Sequence, residues 1–121
     1  MKNYFLIFIG GGVGSILRFF VSKWLNPLML VFPLGTFVAN TVSSFILGLT
    51  VGMIEHKYPG NNTLHLFMIT GICGGFSTFS TFSNETLNLF KTGNYTMGFL
   101  NILLNVILCI IFIIIGIKLT R

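Results

Sequence analysis

The sequence predicts an all-α membrane protein with four transmembrane helices, and three observations support this fold class. The 121 residues are 54% hydrophobic and 7% charged, whereas soluble proteins are about 25% charged. The apolar residues fall into four stretches, near 4–22, 31–54, 64–90 and 95–117, and each is close to or above the ~20 residues that cross a bilayer core. Short segments containing Pro, Gly and Asn separate them. We therefore expect one domain, residues 1–121, in a cell membrane.

The charged and metal-binding residue types argue against catalysis and nucleic-acid binding. Seven Lys and Arg against two acids give a net charge of +5, but the basic residues stand singly rather than in clusters. The two His and two Cys show no metal-ligand spacing. We predict that the chain is not an enzyme and has no nucleic-acid partner, and we interpret Cys73 and Cys109 as packing residues.

The first predicted helix contains a glycine-rich run that favours close helix packing. Glycines four residues apart let helix backbones approach each other in a membrane. A nucleotide-binding loop is disfavoured, because Leu17 stands at the third glycine position and no Gly-Lys-Ser/Thr follows. The Gly-x-x-x-Gly pattern occurs three times, at Gly10 and Gly14, at Gly48 and Gly52, and at Gly71 and Gly75.

The second predicted helix carries a stripe of small polar residues. Thr36, Asn40, Ser43 or Ser44, and Gly48 recur at spacings of three to five residues, which places them on one face toward protein rather than lipid. The stripe is suited either to joining helices or to lining a narrow polar path. Asn40 is the strongest candidate for binding, because its amide NH2 can donate to an anion where an unpaired amide is costly.

The third predicted helix cannot be continuous. Gly74 and Gly75 are adjacent, and each costs about 1 kcal/mol relative to Ala in a helix interior. Ser77 and the hydroxyl residues after it offer the backbone competing hydrogen bonds. A helix broken in the membrane frees carbonyls before the break and N–H groups after it. Carbonyls around Gly74 and Ser77 are suited to a cation, and the helix start near 78–80 is suited to an anion.

Two aromatic residues and an acid follow this break. Phe79 and Phe82 share a face, and the positive edges of their rings attract anions weakly. Packing against lipid or core is the simpler role for both rings. Glu85 lies one turn further, near the helix end, where an acid is more often solvated or paired than a proton carrier.

The fourth predicted helix places Asn101, Asn105 and Cys109 on one face, since they lie four residues apart. Two asparagines are too costly to expose to lipid. We therefore expect this face to contact a protein partner or a polar path.

The distribution of Lys and Arg predicts little preference for one membrane orientation. With four spans both termini share a side, and the basic residues divide four against three when Arg18 is counted with its nearest loop. Such a small chain cannot easily enclose a solvated path alone, so a homodimer is expected, and the weak bias permits an antiparallel one. Arg18 is expected to reach the interface, although a role toward an anion or a carbonyl cluster stays open. The two sets are Lys2, Lys57, Lys118 and Arg121 against Arg18, Lys23 and Lys91.

With these residues in view, the sequence resembles the small bacterial fluoride channels of the CrcB or Fluc family over essentially its whole length. The resemblance implies passive fluoride export, an antiparallel dual-topology dimer with two pores, and a structural sodium ion at the dimer centre. The third of its motifs is highly specific. The motifs are Gly-Gly-x-x-Gly-Ser-x-x-Arg18, Gly35-Thr-Phe-x-x-Asn40, and Gly71-x-Cys-Gly-Gly-Phe-Ser-Thr-Phe-Ser-Thr-Phe82.

The resemblance also implies roles for individual residues. Backbone carbonyls of Gly74 and Ser77 from both subunits would hold the sodium ion. Ser77 departs from the usual Thr, and Asn101 and Asn105 stand where Tyr and Ser are expected. A proton-coupled small multidrug transporter is the alternative class, but it needs a membrane-embedded carboxylate, which the first helix lacks. The pore residues would be Asn40, Phe79, Phe82, Ser80, Thr81 and Asn105, with Glu85 at an entrance.

Overall fold

The computed structural model describes residues 1–121 as a bundle of helices without β-strands. Four helical segments are long and apolar enough to cross a membrane, as the sequence predicts. Turns in which Gly60 and Gly93 adopt positive φ precede the third and fourth spans. The helices are α1 (Lys2–Leu25), α2 (Leu34–His56), α3 (62–76), α4 (Phe79–Lys91) and α5 (Tyr95–Leu119), and a 3₁₀ turn at Asn26–Leu28 follows α1.

The third span is broken within the predicted stretch, and its second half starts inside the predicted range of 78–80, although the two glycines themselves are helical. Gly74 and Gly75 belong to the helical turn Gly74–Phe76. Ser77 (φ −78°, ψ 155°) and Thr78 (φ −150°, ψ 118°) are extended, and α4 begins at Phe79. The two glycines therefore lie in the helical turn before the break and not in the extended backbone.

The remainder of α3 is unusual in its winding. The helix begins with the α-helical turn Asn62–Leu64, continues as a π-helix over His65–Cys73, and ends in the turn Gly74–Phe76. π-Helices are rare and occur mostly as single turns, often next to functional sites. This one leads directly to the break and supplies the surface on which α1 packs.

Glycines allow close packing of α1 against α3, which we call the α1–α3 seam, and Gly75 takes part in it, whereas a Cβ on Gly74 would have only the Ile69 carbonyl oxygen nearby, at 3.8 Å. A Cβ atom on Gly10 would lie 2.6 Å from the Phe67 carbonyl oxygen and 3.0 Å from the Cα of Gly71. A Cβ on Gly14 would meet the carbonyl of Ile72, and one on Gly75 the carbonyl of Gly11. Only glycine permits this approach, so the packing predicted from the Gly-x-x-x-Gly pattern is confirmed.

A second contact of this kind joins α2 to α5, and we call it the α2–α5 seam. A Cβ on Gly48 would lie 2.9 Å from the Cα of Ile113. A Cβ on Gly116 would lie 2.6 Å from the Leu49 nitrogen. The two seams fix α1 to α3 and α2 to α5, so the polar faces of α2 and α5 meet beside the break.

The distribution of side chains is that of a membrane protein. Large apolar residues of α1 point outward, such as Phe8, whose side chain is 77% exposed. Polar side chains of α2 and α5 are buried instead, including Ser43, Asn101 and Asn105. In water, exposed apolar side chains and buried polar side chains would both be costly. In lipid they are not, so this arrangement agrees with a membrane location.

Candidate functional site

The site begins where the side chain of Asn40 binds the broken backbone. The Thr78 N–H donates to Asn40 Oδ1 (2.8 Å), and Asn40 Nδ2 donates to the Thr78 carbonyl at the longer distance of 3.4 Å. The Thr78 hydroxyl oxygen accepts from the Thr81 N–H (3.2 Å), which makes Thr78 the N-cap of α4. Side-chain groups thus satisfy backbone that the helix leaves unpaired.

These contacts leave two carbonyls without their helical donors. In a continuous helix the Thr78 N–H would donate to Gly74 and the Thr81 N–H to Ser77. Both N–H groups donate to side chains instead, so the carbonyls of Gly74 and Ser77 lack their usual partners. Gly74 is exposed on the protomer surface, and Ser77 is half-buried.

These two carbonyls offer neutral backbone oxygen atoms, a ligand type suited to an alkali cation. No group of three or more His, Cys, Asp or Glu side chains could hold a metal ion anywhere in the protomer. Unwound carbonyls in membrane proteins coordinate Na⁺. The neighbouring Cys73 carbonyl is not free for this purpose, because Ser43 and Ser77 both donate to it.

A cavity of about 320 Å³ lies at the break and is lined in part by Ser77 and Thr78. It brings together five predicted site residues, namely Asn40, Ser77, Phe79, Phe82 and Asn105. The two phenyl rings have centroids 5.6 Å apart at an interplanar angle of 50°. Phe82 is buried, whereas Phe79 is 79% exposed on the protomer surface. The cavity therefore places an amide and two aromatic rings beside the start of α4.

A chain of hydrogen bonds, which we call the amide circuit, links this cavity to α5. Asn40 Nδ2 donates to Asn105 Oδ1 (3.1 Å), and Asn105 Nδ2 donates to both Oδ1 and the carbonyl of Asn101 (2.9 Å each). Asn101 Nδ2 donates to the Thr86 hydroxyl (2.9 Å). Thr86 Oγ1 in turn donates to the Phe82 carbonyl (2.8 Å). The asparagine face of α5 thus contacts α2 and α4 rather than lipid.

Ser80 and Thr81 lie next to this cavity but do not line it. Both residues are exposed. Their hydroxyl oxygens lie 3.4 Å and 3.1 Å from the Thr78 Oγ1. Their side chains therefore extend the polar surface of the break outward.

Glu85 borders a second cavity, of about 400 Å³. It lies three residues beyond Phe82, about 4.5 Å further along α4 at the α-helical rise. Thr36 Oγ1 donates to Glu85 Oε1 (2.8 Å), while the buried Oε2 has no partner. The acid thus lines a different cavity from the one that contains Asn40.

Some residues fall outside the predicted grouping or were not assigned to it. Arg18 is half-buried on α1 and lines neither cavity. Thr78 lies in the predicted anion-binding helix start near 78–80, where it is the N-cap. The sequence predicts no role for Thr86. No local pattern pairs Thr86 with Asn101, because that bond joins two helices.

The fold and site define a class of protein: a four-span helical membrane protein whose third span is interrupted beside buried polar groups. Residues 5–117 match the family described as CrcB-like protein, Camphor Resistance (CrcB). The chain belongs to this family and is a multi-pass membrane protein.

Relatives of known name match nearly the whole chain. Three proteins named fluoride-specific ion channel FluC illustrate the similarity. The one from Pyrococcus abyssi is 40% identical and covers 100% of this chain and 98% of its own. That from Azobacteroides pseudotrichonymphae is 44% identical over 88% and 86%. That from Parabacteroides distasonis is 42% identical over 100% and 94%. The relatives are channels by name rather than enzymes.

Proposed function

We propose that the protein is a fluoride-selective channel that lets fluoride leave the cytoplasm passively. The observation that carries this proposal is the cavity at the break, where the Asn40 amide and the rings of Phe79 and Phe82 converge. It occurs in a chain 40% identical over its full length to a protein named as a fluoride-specific channel.

The chemistry of the cavity supports conduction of an anion. Its lining contains no Asp, Glu, Lys or Arg. Amide donors and ring edges attract an anion less strongly than a full positive charge does. Conduction requires binding that is strong enough for entry and weak enough for release. In this proposal Asn40, Phe79, Phe82 and Asn105 line the path, with the Ser80 and Thr81 hydroxyls nearby.

The working unit in this proposal is an antiparallel homodimer with two pores. Phe79 is 79% exposed although it borders the cavity, and Gly74 is exposed next to the break. A second copy would cover this surface and complete the wall of each path. A two-fold symmetric dimer uses the same surface on both copies, so each break would lie against the other.

A sodium ion at the dimer centre would join the two breaks. The carbonyls of Gly74 and Ser77 lack their helical donors, and a second protomer would supply the same pair again. The positive charge of the ion would offset the repulsion between the negative ends of carbonyl dipoles that face one another from the two protomers. Its role is structural, and fluoride passes elsewhere. Glu85 would lie at an entrance to each path.

The test is efflux from liposomes that contain purified protein and are loaded with potassium fluoride or potassium chloride. Rapid efflux of fluoride alone is expected, measured with ion-selective electrodes after valinomycin is added. Absence of fluoride efflux, or equal efflux of chloride, would refute the proposal. Uptake of a cationic dye driven by a proton gradient would instead favour a small multidrug-type transporter.

A further inference from the structure

We infer that Asn101 and Asn105 are positioning residues that set the direction of the Asn40 amide, rather than ligands of the ion in transit. This inference rests on the proposed fluoride path and assigns roles within it. Three features of the amide circuit carry it: the direction of its bonds, the donors that it consumes and the one donor that it leaves weakly held.

Two backbone groups fix the direction in which the circuit donates, because each can only donate or only accept. The Thr78 N–H can only donate, so the Asn40 atom 2.8 Å away is Oδ1. The Asn101 carbonyl can only accept, so the Asn105 atom 2.9 Å away is Nδ2. Both assignments require Asn40 Nδ2 to donate to Asn105 Oδ1, which is the bond observed at 3.1 Å.

The circuit also returns to the helix from which it starts. Donation runs from the Thr78 N–H through the three asparagines to Thr86 and ends on the Phe82 carbonyl. Thr78 and Phe82 flank the first turn of α4, which carries Phe79. Bonds aligned in one direction polarise one another. The circuit therefore holds the first turn of α4 against α2 and α5 in one arrangement.

The asparagines of α5 have few donors to spare. Both N–H groups of Asn105 are used, one on the carbonyl and one on the Oδ1 of Asn101. Asn101 is fully buried and lines neither large cavity. An anion binds to hydrogen-bond donors. Because the N–H groups of Asn105 are already paired with Asn101, Asn105 lines the cavity without offering a donor to an ion.

Asn40 is different, because one of its two N–H groups is weakly held. The contact from Nδ2 to the Thr78 carbonyl is 3.4 Å, beyond the ordinary range of about 2.7–3.2 Å for such bonds. The other N–H is fixed by Asn105 at 3.1 Å. One Asn40 N–H is thus held by its bond to Asn105, and the second is free to turn toward an ion between the phenyl rings.

The inference predicts a graded effect on the fluoride concentration that gives half-maximal flux in liposomes. Asn105→Leu removes the partner of Asn40 and should raise this concentration about tenfold, the cost of one broken buried hydrogen bond. Asn101→Leu should raise it about threefold, because the main-chain carbonyl of residue 101 still orients Asn105. Asn84→Leu is the control, since the exposed Asn84 makes the same exchange outside the circuit and lines neither large cavity, and it should have no effect.

A second measurement avoids dependence on folding of the variants. Side-chain amide resonances of ¹⁵N-asparagine-labelled wild-type protein in micelles are followed as sodium fluoride is added. One of the two Asn40 N–H signals should shift, while both Asn105 signals stay in place.

The outcomes separate this inference from the proposed function. Wild-type protein that passes no fluoride would refute both. Wild-type flux together with an unchanged half-maximal concentration in Asn105→Leu would overturn the positioning roles alone. Larger fluoride-induced shifts for Asn105 than for Asn40 would overturn them too, because they would identify Asn105 as the ligand.

Discussion

Along the α1–α3 and α2–α5 seams the helices touch backbone to backbone, whereas around the break they are joined by amides and hydroxyls. In the seams there is no space for a single Cβ, as at Gly10 against Phe67. In the amide circuit the space is filled by long polar side chains, and each one depends on the orientation of the next. The seams depend on glycines, which have no side-chain atoms, and the amide circuit depends on polar side chains that are hydrogen-bonded to one another.

This difference determines how substitutions should affect each region. Adding atoms to a seam forces two helices apart, because the obstructing neighbours are main-chain atoms that cannot rotate away. Removing atoms from the circuit leaves buried donors or acceptors unpaired, and each costs roughly 1–3 kcal/mol. We therefore expect seam variants to lose the fold and circuit variants to lose function before they lose the fold.

The largest effect is expected for Gly75→Leu. The added side chain would meet the Gly11 carbonyl, so α1 must separate from α3, at or above the upper end of the ~1–3 kcal/mol typical of overpacking. Size-exclusion chromatography in mild detergent should show aggregated protein in place of a discrete peak. Gly12→Leu is the control, because nothing lies within 4 Å of a Cβ at that position. A normal peak for Gly75→Leu would contradict the packing described for this seam.

The next largest effect is expected for Asn40→Leu. The change leaves the Thr78 N–H and Asn105 Oδ1 without partners, which should lower stability by about 2 kcal/mol and fluoride flux by more than about tenfold. Thermal unfolding in detergent and liposome efflux measure the two effects. Thr41→Ala is a suitable control, since the Thr41 hydroxyl donates only to Phe37 within α2. Unchanged flux in Asn40→Leu would remove Asn40 from the path.

Replacing the phenyl rings tests the proposed ion path without changing the hydrogen bonds of the amide circuit. Phe79→Ile and Phe82→Ile replace each ring with a smaller apolar side chain and leave the Phe82 carbonyl bond of the circuit in place. Each should lower fluoride flux about fivefold, as expected for losing a ring-edge contact of ~1 kcal/mol. Phe99→Ile, on the exposed face of α5, is the control for the same exchange away from the cavity. Equal flux in all three variants would show that the ring edges do not contribute.

The seams could be predicted from the sequence because their signal is local. A glycine every fourth residue defines a surface without side chains, whatever the partner helix is. The break and the helix start near 78–80 could be predicted as well. The sequence does not show that Gly75 stays helical and packs against Gly11, because glycines that pack closely and glycines that end helices look alike. Nor does it show that the extended backbone at Thr78 is held by Asn40, which is remote in sequence.

The amide circuit could be predicted only in part, because its bonds join different helices. Helical spacing placed Asn101 and Asn105 on one face and required a partner for them. It could not identify the partners as Asn40 and Thr86, since that depends on which helices the seams bring together. Nor could it indicate that Glu85 is paired with Thr36.

The smallest effect is expected for Thr36→Val, which tests a polar contact outside both regions. Thr36 is 2% exposed, and its hydroxyl supplies the hydrogen bond to Glu85 Oε1, while Oε2 already lacks a partner. Losing this bond should cost about 1 kcal/mol in thermal unfolding and leave the circuit unaffected. Thr50→Val is the matched control, because the Thr50 hydroxyl donates to Ile46, one turn earlier in its own helix. Equal stability of the two variants would mean that the Thr36 bond contributes no more than a local helix contact.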